Sequence, residues 1–284
     1  MSIVVVTDST ASLPSEVAVA RGIVVVPLQV VIGANAYDEG SEEATPERVA
    51  AALREFTPVS TSRPAPAVLL DAYERAAAGG AKQIVSVHLS ADMSGTFESA
   101  QLAARDAPVR VVCVDSRQVG VATGYAALAA ADVIGEGRSV EEAAQAAEAR
   151  AAAASSLFYV DTLEYLRRGG RVGAAAALLG SALAVKPLLQ IQDGKVAPLE
   201  KVRTAGKALA RLEELAVTAA GDVPVDISVA HLASPGRADQ LAERLAERLA
   251  DNLEGRALWC GELGAVLGAH VGPGMIAVCV APRP

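Results

Sequence analysis

The stretch Lys82–Arg105, KQIVSVHLSADMSGTFESAQLAAR, contains the pattern on which the fold prediction rests. Its valine-rich run from Ile84 to Leu89 is short enough to be a buried strand, and a polar turn of small residues follows. From Phe97 onward, apolar residues recur at helical spacing. A strand, a small-residue turn and a helix in this order direct free backbone N–H groups at one point, where an anion can bind.

The turn contains Ser94, Gly95 and Thr96. Gly95 allows a ligand to approach the backbone closely, and the two hydroxyls are hydrogen-bond donors at the same point. The alternative is that Ser94 only caps the helix, which is the more common role of a serine at such a position. The stretch alone therefore leaves two roles open, an anion site and a helix cap.

Strand and helix patterns alternate through the first half of the chain, which predicts a layered α/β sheet with parallel strands. In the second half, Asp193-Gly194 separates two apolar runs and predicts a type I′ β-hairpin, so the sheet there is expected to be mixed. We therefore predict an α/β fold with two domains. Residues 1–154 form an α/β/α domain with a largely parallel sheet, and residues 155–284 form an α/β domain with a mixed sheet.

Two further segments carry candidate ligand-binding side chains. The hydroxyls and prolines of Val59–Pro66 predict a stiff loop that holds Thr61 and Ser62, although a helix cap and a turn explain the same residues. Glycines in Ala269–Gly274 predict a second loop, in which His270 is the histidine best placed to face a ligand.

Three arginines lie within residues 167–171, which is the densest positive cluster of the chain. A solvated charged surface is the usual explanation of such a cluster. Arg171, however, follows two glycines and precedes the apolar segment Val172–Val185, and this placement is able to direct its side chain inward. Asp161 is predicted to cap the short helix before the glycines.

The bulk composition excludes several classes of protein. The net charge is −8 with a pI near 5.0 and no basic stripe, which argues against a nucleic-acid partner. Hydrophobic residues make up 52% of the chain and aromatic residues 3%, so the core is expected to be aliphatic. The three cysteines lie in apolar runs and indicate reduced thiols of a cytoplasmic protein, without a zinc site.

No membrane span and no signal peptide are expected. Val172–Val185 has only 14 residues, too few to cross a bilayer, and glycines and a proline interrupt the run Leu263–Pro282. The N-terminus has no basic segment before an apolar one. The nucleophile elbow, the phosphate loop and the dinucleotide fingerprint are also missing from the sequence, and no metal or other cofactor is expected.

Five motifs together resemble the DegV family of bacterial fatty acid-binding proteins. They occur in the family's order and span nearly the whole chain: Thr7–Thr10, Thr61–Pro64, Met93–Thr96, Val160–Val172 and His270–Gly274. Two departures are Arg63, where the family often has Gln, and Met93, where Leu is usual. Neither departure removes a hydrogen-bond donor.

The resemblance implies a two-domain α/β fold with a buried tunnel for the acyl chain of a long-chain fatty acid. It implies that Thr61 and Ser94 hold the carboxylate, and that Arg171 and His270 lie at or near this head group. Bound fatty acid would be the ligand of a protein with no catalytic activity of its own, and transient membrane contact is compatible with that role.

Some family members are the binding subunit of fatty acid kinase in phospholipid metabolism. They present the acyl carboxylate to a separate ATP-dependent subunit, which makes an acyl phosphate. In these relatives an arginine in the region of Arg203 touches the partner, although here it is equally explained as a surface charge.

A second hypothesis is an enzyme, a hydrolase or transferase acting on a small anionic substrate in the same cleft. Ser94 would then be the nucleophile and His270 the base. The missing elbow motif counts against it, and a purely structural or regulatory protein is the third possibility.

Overall fold

The computed structural model describes residues 2–178 and 186–283. Contacts divide the chain into two compact units, of which the first contains residues 1–29 and 62–153 and the second contains residues 30–61 and 154–284. The sequence-based division leaves residues 30–61 in the N-terminal domain instead. They group with the second unit because their helix, Pro46–Arg54, packs against the helix Ala265–Val271.

The strands are numbered in chain order. They are β1 (Ile3–Asp8), β2 (Ile23–Val26), β3 (Gln29–Ile32), β4 (Asn35–Asp38), β5 (Val59–Ser62), β6 (Gln83–His88), β7 (Arg110–Asp115), β8 (Ser155–Tyr159), β9 (Lys186–Gln192), β10 (Lys195–Val202), β11 (Val225–His231), β12 (Trp259–Glu262) and β13 (Ile276–Pro282).

The α-helices are numbered in the same way, and two short 3-10 helices, Ser9–Ala11 and Gly173–Leu178, accompany them. They are α1 (Ser15–Ala20), α2 (Pro46–Arg54), α3 (Pro66–Ala78), α4 (Thr96–Asp106), α5 (Val121–Gly135), α6 (Val140–Ala153), α7 (Glu164–Arg168), α8 (Ala205–Ala220), α9 (Pro235–Arg248), α10 (Ala250–Leu253) and α11 (Ala265–Val271). In the parts of the chain that the structure describes, none of these helices is long and apolar enough to cross a membrane.

The first unit is built on a parallel sheet with the strand order β2-β1-β6-β7. The central strands β1 and β6 are largely buried and rich in Val and Ile, as expected of a parallel sheet covered on both faces, whereas the outer strands β2 and β7 are partly exposed. Helices α5 and α6 cover one face mainly with alanines, whose small side chains allow the two helices to pack closely.

The carboxyl ends of β1 and β6 are joined by a buried hydrogen-bond network. The carboxylate of Asp8 accepts from His88 Nδ1 at 2.9 Å and from the Leu89 amide at 3.1 Å. On its other side His88 Nε2 lies 2.8 Å from Ser86 Oγ, which is 2.8 Å from the Tyr73 hydroxyl. His88 is therefore a core residue, and the network fixes the start of the turn that leads to α4.

The second unit contains a mixed six-stranded sheet with the order β10-β9-β8-β13-β11-β12. Its neighbouring strands are antiparallel except for β11 and β12, which are parallel. Asp193 and Gly194 both have positive φ, which is the type I′ geometry predicted for the hairpin between β9 and β10. The predicted α/β class, with one largely parallel and one mixed sheet, is confirmed.

Two predicted loops are wrong in part: residues 63–65 and 272–274 are loop, but residues 59–62 and 269–271 are not. Residues 59–62 form strand β5, in a three-stranded sheet of order β4-β3-β5, because alternating half-buried Val59 and Thr61 fit a pleated surface. Residues 269–271 are the last turn of α11, which continues through Gly268. A side chain at residue 268 would crowd Leu232, so glycine packs better at this position of the helix.

The predicted N-cap at Asp161 is also wrong. Helix α7 begins at Glu164, whose amide donates to Thr162 Oγ1 at 3.2 Å, whereas Asp161 pairs with Lys186 and accepts from the Tyr159 hydroxyl. Of the apolar segment Val172–Val185, residues 179–185 lie outside the described part of the chain.

Candidate functional site

A cavity of about 510 Å³ lies within the second unit. Its walls are Gly33, residues of the segment 53–61 around β5, residues of the segment 165–171 at and after α7, and Ala269 and His270 near the end of α11. A volume of this size is in the range of small-molecule sites. The strand, the glycine-rich turn and the helix end therefore bring three of the sequence motifs to one cavity.

Thr61 and His270 form a hydrogen bond in this cavity. Thr61 Oγ1 lies 2.8 Å from His270 Nε2, although the two residues are 209 positions apart in the chain. The backbone of Gly169 packs against the other side of the imidazole, where a Cβ atom would overlap Nδ1. His270 therefore fits because residue 169 has no side chain.

The imidazole of His270 is neutral at pH 7. Burial, and to a smaller extent the charge of Arg171, lowers its pKa to about 4. Nδ1 is buried and has no hydrogen-bond partner among the described residues, so a proton there would be left unsatisfied. With the proton on Nε2, His270 donates to Thr61 Oγ1, and the Thr61 hydroxyl proton is then available to a ligand.

Arginines are the charged residues among the described lining of the cavity. Arg171 is half-buried and donates from Nη1 to the Gly169 carbonyl at 2.6 Å. Arg168 is exposed and pairs with Glu164 at 2.8 Å, although Glu164 itself does not line the cavity. In a chain with a net charge of −8, this local excess of positive charge favours an anionic ligand.

Glycines also allow the loop after His270 to pack closely against the segment 161–165. A Cβ atom at Gly272 would overlap the ring of Tyr165, and one at Gly274 would overlap the carboxylate of Asp161. Gly272 has a φ of +75°, a conformation that L-residues with side chains rarely adopt. Tyr165 and Gly169 are not among the predicted site residues, although both lie inside the arginine motif.

Helix α11 is held at its first turn by Glu39. Its Oε1 atom accepts from the Val266 amide at 2.7 Å, and the backbone of Gly264 lies directly beside it. A carboxylate is favourable at a helix N-terminus because it satisfies free amides and interacts with the helix dipole. Nothing in the sequence pattern pointed to Glu39.

The first unit contains the predicted residues Ser94, Gly95 and Thr96, at the start of α4. Ser94 Oγ lies 2.9 Å from Thr96 Oγ1 and accepts from the Thr96 amide at 3.3 Å. The guanidinium of Arg63 lies over Gly95, donates to its carbonyl at 3.1 Å and pairs with Glu98 at 2.8 Å. A side chain at residue 95 would therefore collide with Arg63.

The remaining predicted residues are at the surface. Ser62 is exposed and donates to the Arg63 carbonyl at 3.2 Å. Arg203 is exposed between β10 and α8 and does not line the cavity. Within residues 2–178 and 186–283, no group of three His, Cys, Asp or Glu side chains is arranged to hold a metal ion.

Comparisons with known proteins agree with the motifs. The family model described as uncharacterised protein, DegV family, matches residues 2–283. A DegV domain-containing protein of Streptomyces coelicolor is 54% identical over 281 residues, which cover 99% of each chain. Two solved structures match over 100% of both chains at 33% identity. One, described as fatty acid binding, is a DegV family protein from Thermus thermophilus with a TM-score of 0.91, and the other is DegV, a fatty acid binding protein from Bacillus subtilis, with a TM-score of 0.90. This chain belongs to the DegV family.

Proposed function

We propose that the protein binds a long-chain fatty acid and that Thr61 holds its carboxylate. His270 supports Thr61 through their hydrogen bond, and Arg171 contributes a positive charge to the same cavity. The observation that carries this proposal is the hydrogen bond from neutral His270 to Thr61 in a cavity whose charged lining is arginine. The hydrogen bond frees the threonine proton for an acceptor, and the arginines favour that acceptor being an anion. The fatty acid binding of the Thermus and Bacillus relatives supports the same ligand.

The physical chemistry of a fatty acid fits this arrangement. A buried carboxylate is costly unless hydrogen bonds or opposite charges compensate it, and hydrogen bonds to a charged group are the stronger kind. The acyl chain contributes about 0.8 kcal/mol for each CH₂ group removed from water, before the entropy of binding is subtracted. We expect an affinity that increases with chain length until the chain exceeds the space for it.

Ser94, Gly95 and Thr96 are still predicted to contact the head group. One variant in each unit tests the proposal, Ser94→Ala in the first unit and Thr61→Ala in the second. Gly95 is kept small by Arg63, and Ser94 is bonded to a hydroxyl and a backbone amide. These contacts do not activate Ser94 as a nucleophile, so they favour a binding role over the enzymatic alternative.

We also propose that the protein is a non-catalytic, cytoplasmic partner of an ATP-dependent fatty acid kinase subunit, with Arg203 at the docking surface. The exposure of Arg203 is compatible with this role, as is the reduced state of the three cysteines, which form no disulfide bond with one another. Purified protein should form acyl phosphate only when ATP and a kinase subunit are added. Acyl-ester or acyl-phosphate hydrolysis by the protein alone, lost in His270→Ala, would support the enzyme instead.

The first test is mass spectrometry of the purified protein, in the native state and after solvent extraction. Near-stoichiometric fatty acid is expected in the wild type, and its loss is expected in Thr61→Ala and Ser94→Ala. Thr218→Ala is the matched control, because Thr218 is exposed on α8 and lies outside the cavity. A wild-type protein that is empty and refuses added fatty acids of several lengths would contradict the proposal.

A further inference from the structure

Tyr165 lines the cavity, and its hydroxyl has no hydrogen-bond partner among residues 2–178 and 186–283. The residue lies in α7, and Arg168 and Gly169, which follow it by three and four positions, line the same cavity. Residues at this spacing share one face of a helix. Tyr165 therefore brings to the cavity wall a polar group that the described part of the chain does not use.

The ring of Tyr165 is held in place by packing rather than by its hydroxyl. A Cβ atom at Gly272 would overlap the ring atoms Cδ2, Cε2 and Cγ, so the ring lies directly against the backbone of that glycine. The backbone carbonyl of Tyr165 accepts from the Gly169 amide at 2.9 Å, and Gly169 packs against the imidazole of His270. Tyr165 is thus fixed beside the residue that orients Thr61, while its hydroxyl stays available.

A carboxylate in this cavity needs more hydrogen bonds than Thr61 alone supplies. A carboxylate has two oxygens with about four lone-pair sites for donors. The Nε2 proton of His270 goes to Thr61, which leaves one hydroxyl proton of Thr61 for the ligand, and Arg171 uses Nη1 on the Gly169 carbonyl. Unsatisfied oxygens make a buried carboxylate costly. A second neutral donor in the wall would reduce this cost without adding charge.

Two further hydroxyls of the lining, those of Thr57 and Ser60, are less well placed than that of Tyr165. Ser60 is exposed and alternates with Thr61 along β5, so these two side chains point to opposite faces of the strand. Thr57 lies before β5 begins. Tyr165, in contrast, contacts the loop directly after His270, which places it on the wall where the head group is expected.

We propose that Tyr165 is a ligand-binding residue whose hydroxyl donates a hydrogen bond to the carboxylate oxygen that Thr61 does not bind. The proposal rests on the proposed function, because it names a further contact of the same fatty acid. A free acid offers two charged oxygens, one for each hydroxyl. An ester offers one carbonyl oxygen and one weakly accepting alkoxy oxygen, so the two hydroxyls together select the free acid over its esters.

The test is calorimetry of the full chain with palmitate and with methyl palmitate, in the wild type and in Tyr165→Phe. Phenylalanine keeps the ring against Gly272 and removes only the hydroxyl, so the melting temperature without ligand should equal that of the wild type. Palmitate should bind the variant roughly tenfold more weakly, because the lost hydrogen bond is to a charged group. Methyl palmitate should bind both proteins with similar affinities.

Tyr37→Phe is the matched control. Tyr37 is half-buried on β4 and lies under the guanidinium of Arg48, outside the cavity, and phenylalanine retains a ring for that contact. This variant should bind palmitate like the wild type. The inference is overturned if Tyr165→Phe binds palmitate as tightly as the wild type. It is also overturned if that variant loses affinity for palmitate and its ester by the same factor, because the ring rather than the hydroxyl would then be recognised.

A second measurement reports the hydrogen bond on the ligand itself. The NMR resonance of palmitate labelled with carbon-13 at the carboxyl carbon is followed in the complex as the pH is lowered. A hydrogen bond to the charged form lowers the pKa of the bound carboxyl group, so this pKa should be roughly one unit higher in Tyr165→Phe than in the wild type. The other charged or titratable groups of the described lining, Arg168, Arg171 and His270, are the same in both proteins.

Equal carboxyl pKa values in the two complexes would refute the inference alone. A wild type that binds no palmitate would refute the proposed function, and the inference with it.

Discussion

At the cavity, the proposed anionic ligand would meet two different side chains, His270 and Arg171. Arg171 is charged and half-buried, and its charge helps to keep the imidazole neutral. The neutral ring then determines the direction of the hydrogen bond to Thr61. A protonated His270 would add a second positive charge, but burying that charge would destabilise the folded state.

This depressed pKa predicts how stability depends on pH. The pKa of His270 is about 4 in the folded state and 6.5 in an exposed histidine, so the unfolded chain binds more protons between these values. The contribution of the neutral ring to the free energy of unfolding is complete above pH 6.5. It decreases as the pH falls and is lost below about pH 4. Its upper bound is about 3 kcal/mol. Urea unfolding of wild type and His270→Asn at several pH values should show a difference that shrinks through this window, and a constant difference would contradict it.

Gly169 predicts a steric effect on the same ring. Its φ of −73° suits any residue, but a Cβ atom would overlap His270 Nδ1. Gly169→Ala should therefore displace the imidazole and weaken fatty acid binding at least tenfold in calorimetry, with a loss of stability of about 1–3 kcal/mol from overpacking. Gly206→Ala is the control, because nothing lies near that position in α8. Equal affinities for the two variants would show that His270 tolerates displacement.

Among the elements, α11 depends on a residue far from it in sequence. Glu39 accepts from the Val266 amide at the start of the helix, and His270 lies at its end. Glu39→Ala should cost about 1 kcal/mol of unfolding free energy and weaken ligand binding, whereas Glu39→Gln keeps an oxygen acceptor and should lose less. Histidine signals in NMR spectra would report whether the ring of His270 moves. An unchanged ring in Glu39→Ala would mean that the cavity, rather than the helix start, holds it.

Elements with a strong local signal were predictable from the sequence. The apolar run of β6 and the Asp-Gly hairpin each depend on neighbouring residues, and the structure contains both. The strand at Thr61 and the helix at His270 were not predictable, because β5 is stabilised by pairing in a sheet and α11 by Glu39 and Leu232. Both mistakes arise where distant contacts override local propensity.

The cavity residues show the same limit. Thr61, Arg171 and His270 were identifiable because each belongs to a motif, whereas Glu39 has no motif and acts only through the folded chain. Tyr165 and Gly169 lie between the two cases. They are inside the arginine motif, but their role depends on contacts with His270 and Gly272 that only the structure provides.

For the whole molecule, the composition bears on what a ligand contributes. Aromatic residues are 3% of the chain, and the cores are built mainly from Ala, Val, Leu and Ile. Small aliphatic side chains bury less apolar area each than aromatic ones do, so a bound acyl chain is a substantial addition to the buried apolar surface.

Fatty acid binding should therefore raise the stability of the whole chain measurably. A ligand at 100 times its Kd adds about 2.7 kcal/mol to the free energy of unfolding if it binds only the folded state. For a chain of this size that corresponds to a rise in Tm of roughly 5–10 °C. The methyl ester of the same fatty acid lacks the negative charge and should produce a much smaller rise, and Thr61→Ala should reduce the effect of the acid but not that of the ester. Equal shifts for acid and ester in the wild type would mean that the acyl chain alone is recognised and that Thr61, Arg171 and His270 do not hold the carboxylate.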